Sequence, residues 1–169
     1  TKGVQELGVS GNINFTNVCY TGCRFCAFAQ RRTDADAFTL SLDEVAGRAE
    51  NAWNLGAGEV CMQGGIHPDL PPTAYADLVR AVKARVPQMH VHAFSPPELT
   101  EFVEFFDPPG ASFHEKARWV LDKLQDAGLD SLPGGGGEIF AHPVRRKIGL
   151  GKCDAETWLT CMYAAHELG

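Results

Sequence analysis

The sequence predicts an α/β fold, a partial (β/α) TIM-like barrel truncated at its C-terminus. Short apolar runs bounded by glycine or proline alternate with segments of helical period along all 169 residues. Two capping boxes, Ser41-Leu-Asp-Glu44 and Ser112-Phe-His-Glu115, mark helix starts between those runs. Polar and glycine-rich motifs follow directly on the strand-like runs, where parallel α/β sheets gather their chemistry. Four strands are visible, against about eight in ~250 residues for a closed barrel. Residues 1–169 are therefore read as one domain, an incomplete barrel.

Residues 1 to 10 carry no usable pattern. Asn12-Ile-Asn-Phe-Thr-Asn17 alternates apolar and polar side chains and reads as the first strand, delivering Cys19 to its end. The polar stretch from Arg31 to Leu40 is expected over the outer side of the loop that follows. Ser41 then caps a helix with Leu42, Val45, Ala46, Ala49 and Trp53 at helical spacing, stopped by Gly56. Glu59-Val-Cys-Met-Gln63 suits a buried parallel strand and ends in Gly64-Gly65. The next helix runs from about Thr73 to Arg85, with Tyr75, Leu78, Val79 and Val82 on one face. His90 to Phe94 is the third strand, and Ser95-Pro-Pro-Glu98 opens a short helix through Phe106. Ser112 caps a helix that buries Ala117, Val120, Leu121 and Leu124 and stops at Gly128. Leu129-Asp-Ser-Leu132 is the fourth strand, followed by Pro133-Gly-Gly-Gly-Gly137 and Glu138. Pro143 suits the first turn of another helix, and Asp154 caps a last one presenting Trp158, Leu159, Met162 and Ala165 to the core.

Composition narrows the function. A hydrophobic content of 44%, a charged content of 21% and no long apolar run describe a soluble domain, with no membrane partner. A net charge of -6 argues against nucleic acid, because phosphate contacts need clustered Lys and Arg. The short cluster Arg145-Arg146-Lys147 suits a helix C-terminus or a substrate carboxylate instead. Scattered thiols without a signal peptide place the chain in the cytoplasm.

The stretch Asn17-Val-Cys-Tyr-Thr-Gly-Cys-Arg-Phe-Cys-Ala-Phe-Ala-Gln30 sets Cys19, Cys23 and Cys26 at C-x3-C-x2-C spacing. Such a loop can bring three thiolates onto one face of a 4Fe-4S cluster and leave the fourth iron open. An open metal position is a reaction site, and the amino and carboxylate groups of S-adenosyl-L-methionine can chelate it. The alternative is a zinc knuckle completed by His67 or His92, although no second paired-ligand arm exists in the sequence. His90 and His92 share a strand face, with His92 nearer the active end and the better candidate for catalysis. Ser95 and Glu98 could cap a helix or hold substrate at the mouth, and Glu98 is the second catalytic candidate. The run Gly134–Gly137 lacks the dinucleotide fingerprint and is expected to make room for a ligand, with Glu138 set for ribose hydroxyls or an amine. Cys61, Cys153 and Cys161 read as buried small hydrophobes.

The cysteine stretch, including Phe25 before the last cysteine, resembles the signature of the radical S-adenosylmethionine family. The resemblance implies that Cys19, Cys23 and Cys26 hold the cluster, and that Phe25, Gln63, Gly64 and Gly65 lie against the cofactor. It also implies an electron from a reductant protein such as flavodoxin or ferredoxin. Asn12-Ile-Asn-Phe-Thr-Asn-Val-Cys-Tyr20, Cys26-Ala-Phe-Ala-Gln-Arg-Arg-Thr-Asp-Ala-Asp-Ala-Phe38 and Cys61-Met-Gln-Gly-Gly-Ile-His-Pro68 look like the tyrosine-handling half of the FO synthase family. That likeness implies transfer of the 4-hydroxybenzyl group of L-tyrosine to a ribityl uracil, 5-amino-6-(D-ribitylamino)uracil, through a 5'-deoxyadenosyl radical. The product feeds coenzyme F-420 biosynthesis, and a companion FO synthase subunit or domain would be a partner. His92-Ala-Phe-Ser-Pro-Pro-Glu98 and Gly128-Leu-Asp-Ser-Leu-Pro-Gly-Gly-Gly-Gly-Glu138 look more like radical enzymes of the futalosine route to menaquinone, notably cyclic dehypoxanthine futalosine synthase. The third reading is a non-catalytic iron-sulfur or zinc module.

Overall fold

The computed structural model describes residues 10–169. In chain order the elements are β1 (Ser10–Asn14), α1 (Leu42–Asn54), β2 (Glu59–Gln63), α2 (Pro72–Arg85), β3 (His90–Ala93), α3 (Pro96–Phe106), α4 (Phe113–Asp126), α5 (His142–Ile148) and α6 (Ala155–Leu168). The three strands form a parallel sheet in the order β1-β2-β3, so α1 and α2 are its crossovers. Among the described residues no helix is long and apolar enough to cross a membrane.

The sheet is buried on one face only. Ile13, Val60, Met62, Val91 and Ala93 are sealed against Val45 and Ala49 of α1 and Leu78, Val79 and Val82 of α2. The opposite pleat positions carry Asn12, Asn14, Glu59, Cys61, Gln63, His90 and His92, all exposed or half-buried. Parallel strands are usually covered on both faces. A polar second face is instead what a barrel wall presents to its interior, with helices on the outside. Cys61, expected as a buried hydrophobe, stands on this polar face and is half-buried. Cys153 is half-buried in a loop, and Cys161 alone of the three is fully buried.

Two strands depart from expectation. Among the described residues the first spans Ser10–Asn14 and ends there rather than at Asn17, because Thr16 and Asn17 turn their hydrogen bonds outward. Thr16 Oγ1 donates to Phe38 O, Asn17 Nδ2 to Asp36 O, and Phe38 N to Asn17 Oδ1. These bonds anchor the 31–40 stretch to the residues just before Cys19. The expected fourth strand, Leu129–Leu132, is reduced to one bridge between Ser131 and His92. There the Asp130 carboxylate, not a backbone carbonyl, accepts from Val91 N at 2.7 Å, and Pro133 then removes the next donor.

The helices largely follow their patterns, and both expected capping boxes are present. The exceptions are apolar residues on the wrong side of a helix. Leu42 and Trp53 of α1 and Leu159 of α6 are exposed, and α6 buries Cys161 and Ala164 instead.

At the C-terminal ends of the strands, Phe15, Tyr75, Phe94 and Phe102 pack edge to face or tilted, with ring centroids 4.0–6.2 Å apart. Phe94 is held at φ +58°, a left-handed conformation that costs a non-glycine residue about 1–3 kcal/mol. That kink turns the chain from β3 into α3 and brings Ser95 and Glu98 up to the end of β2.

Candidate active site

The cysteine loop is held by three distant segments. Cys19 N donates to Gln30 O and Tyr20 N to Ile66 O, so the loop is tied to its own return and to the turn after β2. Gly22 N donates to Leu150 O at 3.2 Å and Arg24 N to Ile148 O at 2.9 Å, which fastens the far side to the end of α5. Tyr20 Oη donates to Glu101 of α3, and Phe105 packs against the Tyr20 ring. Burial pushes the Tyr20 phenol and the Glu101 carboxyl up, so both keep their protons more firmly than in water.

Gly64 and Gly65 are required by packing. A Cβ on Gly64 would lie 2.5 Å from the Phe15 ring, and one on Gly65 would lie 2.2 Å from Val18 O. The turn therefore passes directly beneath the cysteine loop, with Gly65 N donating to Thr16 O at 2.9 Å. Glu98 pins the same turn from α3. Its Oε1 accepts from Gly64 N at 3.3 Å, while Oε2 closes the Ser95 capping box at 2.7–2.8 Å. Burial raises the Glu98 carboxyl to about 7, although the bonds from Ser95 and Gly64 pull it down. Ser95 and Glu98 cap α3, and both also line the cavity.

These parts enclose a cavity of about 380 Å³. Its wall includes Cys19, Cys23, Cys26, Phe25, Gln63, Gly64, Gly65, Ser95 and Glu98 from the sequence candidates, together with Asn14, Gly135 and Lys152. Lys152 carries no motif and was missed. Its Nζ donates to Gly135 O at 2.6 Å and sits 4.9 Å from the centre of the Phe25 ring. Its only signal in the sequence is the Gly149-Leu-Gly151 turn before it. Asn14 was legible, since alternation puts it on the same face as Asn12.

The glycine run, of which Gly135 lines the cavity, is also packed closely against this chain's own side chains. Gly135, Gly136 and Gly137 all have positive φ, and a Cβ on Gly135 would meet Ser95 Cβ at 2.4 Å. A Cβ on Gly137 would meet Phe25 at 2.9 Å. Phe25 and Ser95 occupy the space where these side chains would stand. Glu138 is exposed, turns back over Gly134 and does not line the cavity, because the left-handed backbone at Gly137 throws its side chain outward. His92 also lies outside the lining. It stands one residue before the end of β3, paired with Cys61 and below Gln63, and its Nδ1 is engaged with Ser131 Oγ at 2.6 Å. Arg145 is buried and structural, donating to Cys153 O and Gly137 O.

The cysteines fit a cluster better than a single ion. Thr21 Oγ1 lies between two of them, 3.0 Å from Cys19 Sγ and 3.6 Å from Cys23 Sγ. The three sulfurs do not all converge to within 4.8 Å of one another. Thiolates sharing one zinc, with bonds of about 2.3 Å, would sit roughly 3.8 Å apart. Cysteines that each take a different iron need the wider spread. Neither histidine named for a zinc knuckle reaches them, for His67 Nδ1 accepts from Asp69 N and His92 is held by Ser131.

Residues 13–169 match the model of the Radical SAM superfamily. The chain is 62% identical over 161 residues to an FO synthase of Streptomyces coelicolor, covering 95% of this chain and 18% of that protein. It is 41% identical to a 5-amino-6-(D-ribitylamino)uracil--L-tyrosine 4-hydroxyphenyl transferase of Methanopyrus kandleri, over 95% of this chain and 42% of that one. The chain thus spans less than half the length of these relatives. Among solved structures, methylornithine synthase superposes with a TM-score of 0.69 at 18% identity, over 96% of this chain and 42% of the other, a likeness of fold.

Proposed function

The chain belongs to the radical SAM superfamily, and from that premise we propose that it forms the cluster-binding part of an FO-synthesis active site. The reaction is transfer of the 4-hydroxybenzyl group of L-tyrosine to 5-amino-6-(D-ribitylamino)uracil, in the biosynthesis of the coenzyme F-420 precursor. The observation that carries this reading is one cavity shared by Cys19, Cys23, Cys26, Gly64 and Glu98, in a chain 62% identical to an FO synthase. The stretches that resembled the menaquinone enzymes lie inside that same match, so the futalosine alternative is set aside.

When bound, the 4Fe-4S cluster and S-adenosyl-L-methionine would supply the one-electron radical chemistry that activates the substrate. Cys19, Cys23 and Cys26 would hold the cluster, and Phe25 would form the wall beside it, braced by Gly137 and Lys152. Gln63 offers its side-chain amide, and the Gly64-Gly65 turn its carbonyls, to the methionyl end of the cofactor. Glu98 fixes that turn and, with a carboxyl near 7, can take or give a proton at the cavity wall. A flavodoxin- or ferredoxin-like reductant would supply the electron, a reading supported by the exposure of Cys26. Six free thiols suit a reducing compartment, here the cytoplasm. A companion FO synthase subunit or domain fits relatives of which this chain spans a fraction.

The test is anaerobic reconstitution with iron and sulfide, then reduction with S-adenosyl-L-methionine and either tyrosine plus the ribityl uracil or dehypoxanthine futalosine. Mass spectrometry is expected to find the tyrosine-uracil adduct once the companion part is supplied. A cyclised futalosine would overturn the substrate, and failure of folded protein to take up a cluster would overturn the whole reading.

A further inference from the structure

The polar face of the sheet carries a second set of ligand-type side chains, apart from the cysteine loop. Glu59 of β2 and His90 of β3 are register partners, and His92 stands two residues further along on the same face. One donor atom from each of the three lies within 4.8 Å of the other two. Glu59 Oε2 is 3.8 Å from His90 Nε2. Ser131 Oγ lies 2.8 Å from His90 Nε2 and 2.6 Å from His92 Nδ1. The geometry points to a divalent-cation site built from two imidazoles and one carboxylate, with the Ser131 hydroxyl or a water as fourth ligand.

The arrangement is set by the backbone. The parallel ladder places Glu59 beside His90, and the bridge between His92 and Ser131 places the hydroxyl. Asp130 locks that bridge, accepting from Val91 N at 2.7 Å and from Lys83 Nζ at 2.6 Å. Histidines at alternate strand positions project to one side, so both lone pairs can reach one ion. Ser131 Oγ can donate to one ring nitrogen and accept from the other where that one carries its ring's N–H. In the tautomers that present both lone pairs, the hydroxyl proton serves only one of them. A cation satisfies both together with the carboxylate, whose charge offsets part of its own. Metal–nitrogen bonds of about 2.0–2.1 Å require the three groups to draw in slightly. His90 and Glu59 are 44% and 40% exposed and free to do so. Two nitrogens with one oxygen select zinc, cobalt or nickel over magnesium or calcium. With water in the fourth place, three protein ligands and one exchangeable position match the layout of catalytic rather than structural zinc.

Zinc is titrated calorimetrically into the full chain carrying Cys19→Ser, Cys23→Ser and Cys26→Ser, so that the loop thiolates do not compete. One zinc per chain is expected. Glu59→Gln, which keeps size and hydrogen bonding, is expected to weaken it at least tenfold, and His90→Ala and His92→Ala to abolish it. Cobalt in place of zinc should give visible bands without thiolate charge transfer, and Cys61→Ala should leave binding unchanged. Absence of zinc binding in the folded chain, or binding indifferent to Glu59→Gln and His90→Ala, overturns the site. None of these readouts depends on cluster assembly or turnover, so the outcome is separate from that of the FO-synthesis test.

Discussion

Each glycine, acid and thiol of the cavity answers to a measurable contact. Cys23 is half-buried and makes no contact on which the core depends, so Cys23→Ala should abolish cluster uptake and leave the circular dichroism of the helices unchanged. Gly65 faces the Val18 carbonyl at a distance no side chain tolerates, so Gly65→Ala should cost about 1–3 kcal/mol and lower iron content. Gly58→Ala, with nothing within 4 Å, should do neither, and urea unfolding beside iron analysis compares the two. Glu98 gives a pH signature. Its carboxyl is raised from 4.5 to about 7, so the folded chain keeps a proton that the unfolded chain releases. The associated stability is complete below pH 4.5 and is lost as pH rises through about 7, by roughly 3 kcal/mol. The difference in unfolding free energy between wild type and Glu98→Gln, followed from pH 4.5 to 7.5, should show that slope.

At the scale of elements, the helices obey local rules and the strands obey their neighbours. Ser41 and Glu44 close the expected box at the head of α1, and Ser112 and Glu115 close theirs at α4. Gly47 lies inside α1 with open space where a Cβ would go. Gly47→Ala should therefore stabilise the chain by about 0.5–1 kcal/mol in urea unfolding, with no effect on the cavity. Leu129–Leu132 had the composition of a strand but not the partner. Whether it joined the ladder depended on Asp130, whose carboxylate caps Val91 N, and no periodicity encodes that choice.

Across the whole molecule, the cavity is closed by segments far apart in the chain. Leu150 and Ile148 bind the cysteine loop, and Lys152 spans from the glycine run to the Phe25 ring. Lys152→Met should leave iron content intact, since the sulfurs are untouched, but loosen the Phe25 wall. Calorimetry should then show several-fold weaker binding of S-adenosyl-L-methionine to the reconstituted protein. The same assembly moved Glu138 out of the site. The backbone at Gly137 is left-handed and passes too close to Phe25 for a Cβ, and Glu138 beyond it is exposed.

The sequence by itself determined the alternation of strand and helix, the helix caps, the buried faces of α2 and α4, and the three thiols that converge on the cavity. Those features depend on residues within a few positions of one another, where the periods of helix and strand and the spacing of a loop act directly. The tertiary structure alone decided that Lys152 lines the cavity, that His92 faces Ser131 and Glu59's neighbour His90 instead of the cysteines, and that the sheet has one polar face. It also decided that the glycines at 64, 65 and 135–137 accommodate Phe15, Val18, Ser95 and Phe25. Those outcomes rest on which distant backbone occupies a given space, and steric exclusion between segments tens of residues apart or more leaves no period in the chain.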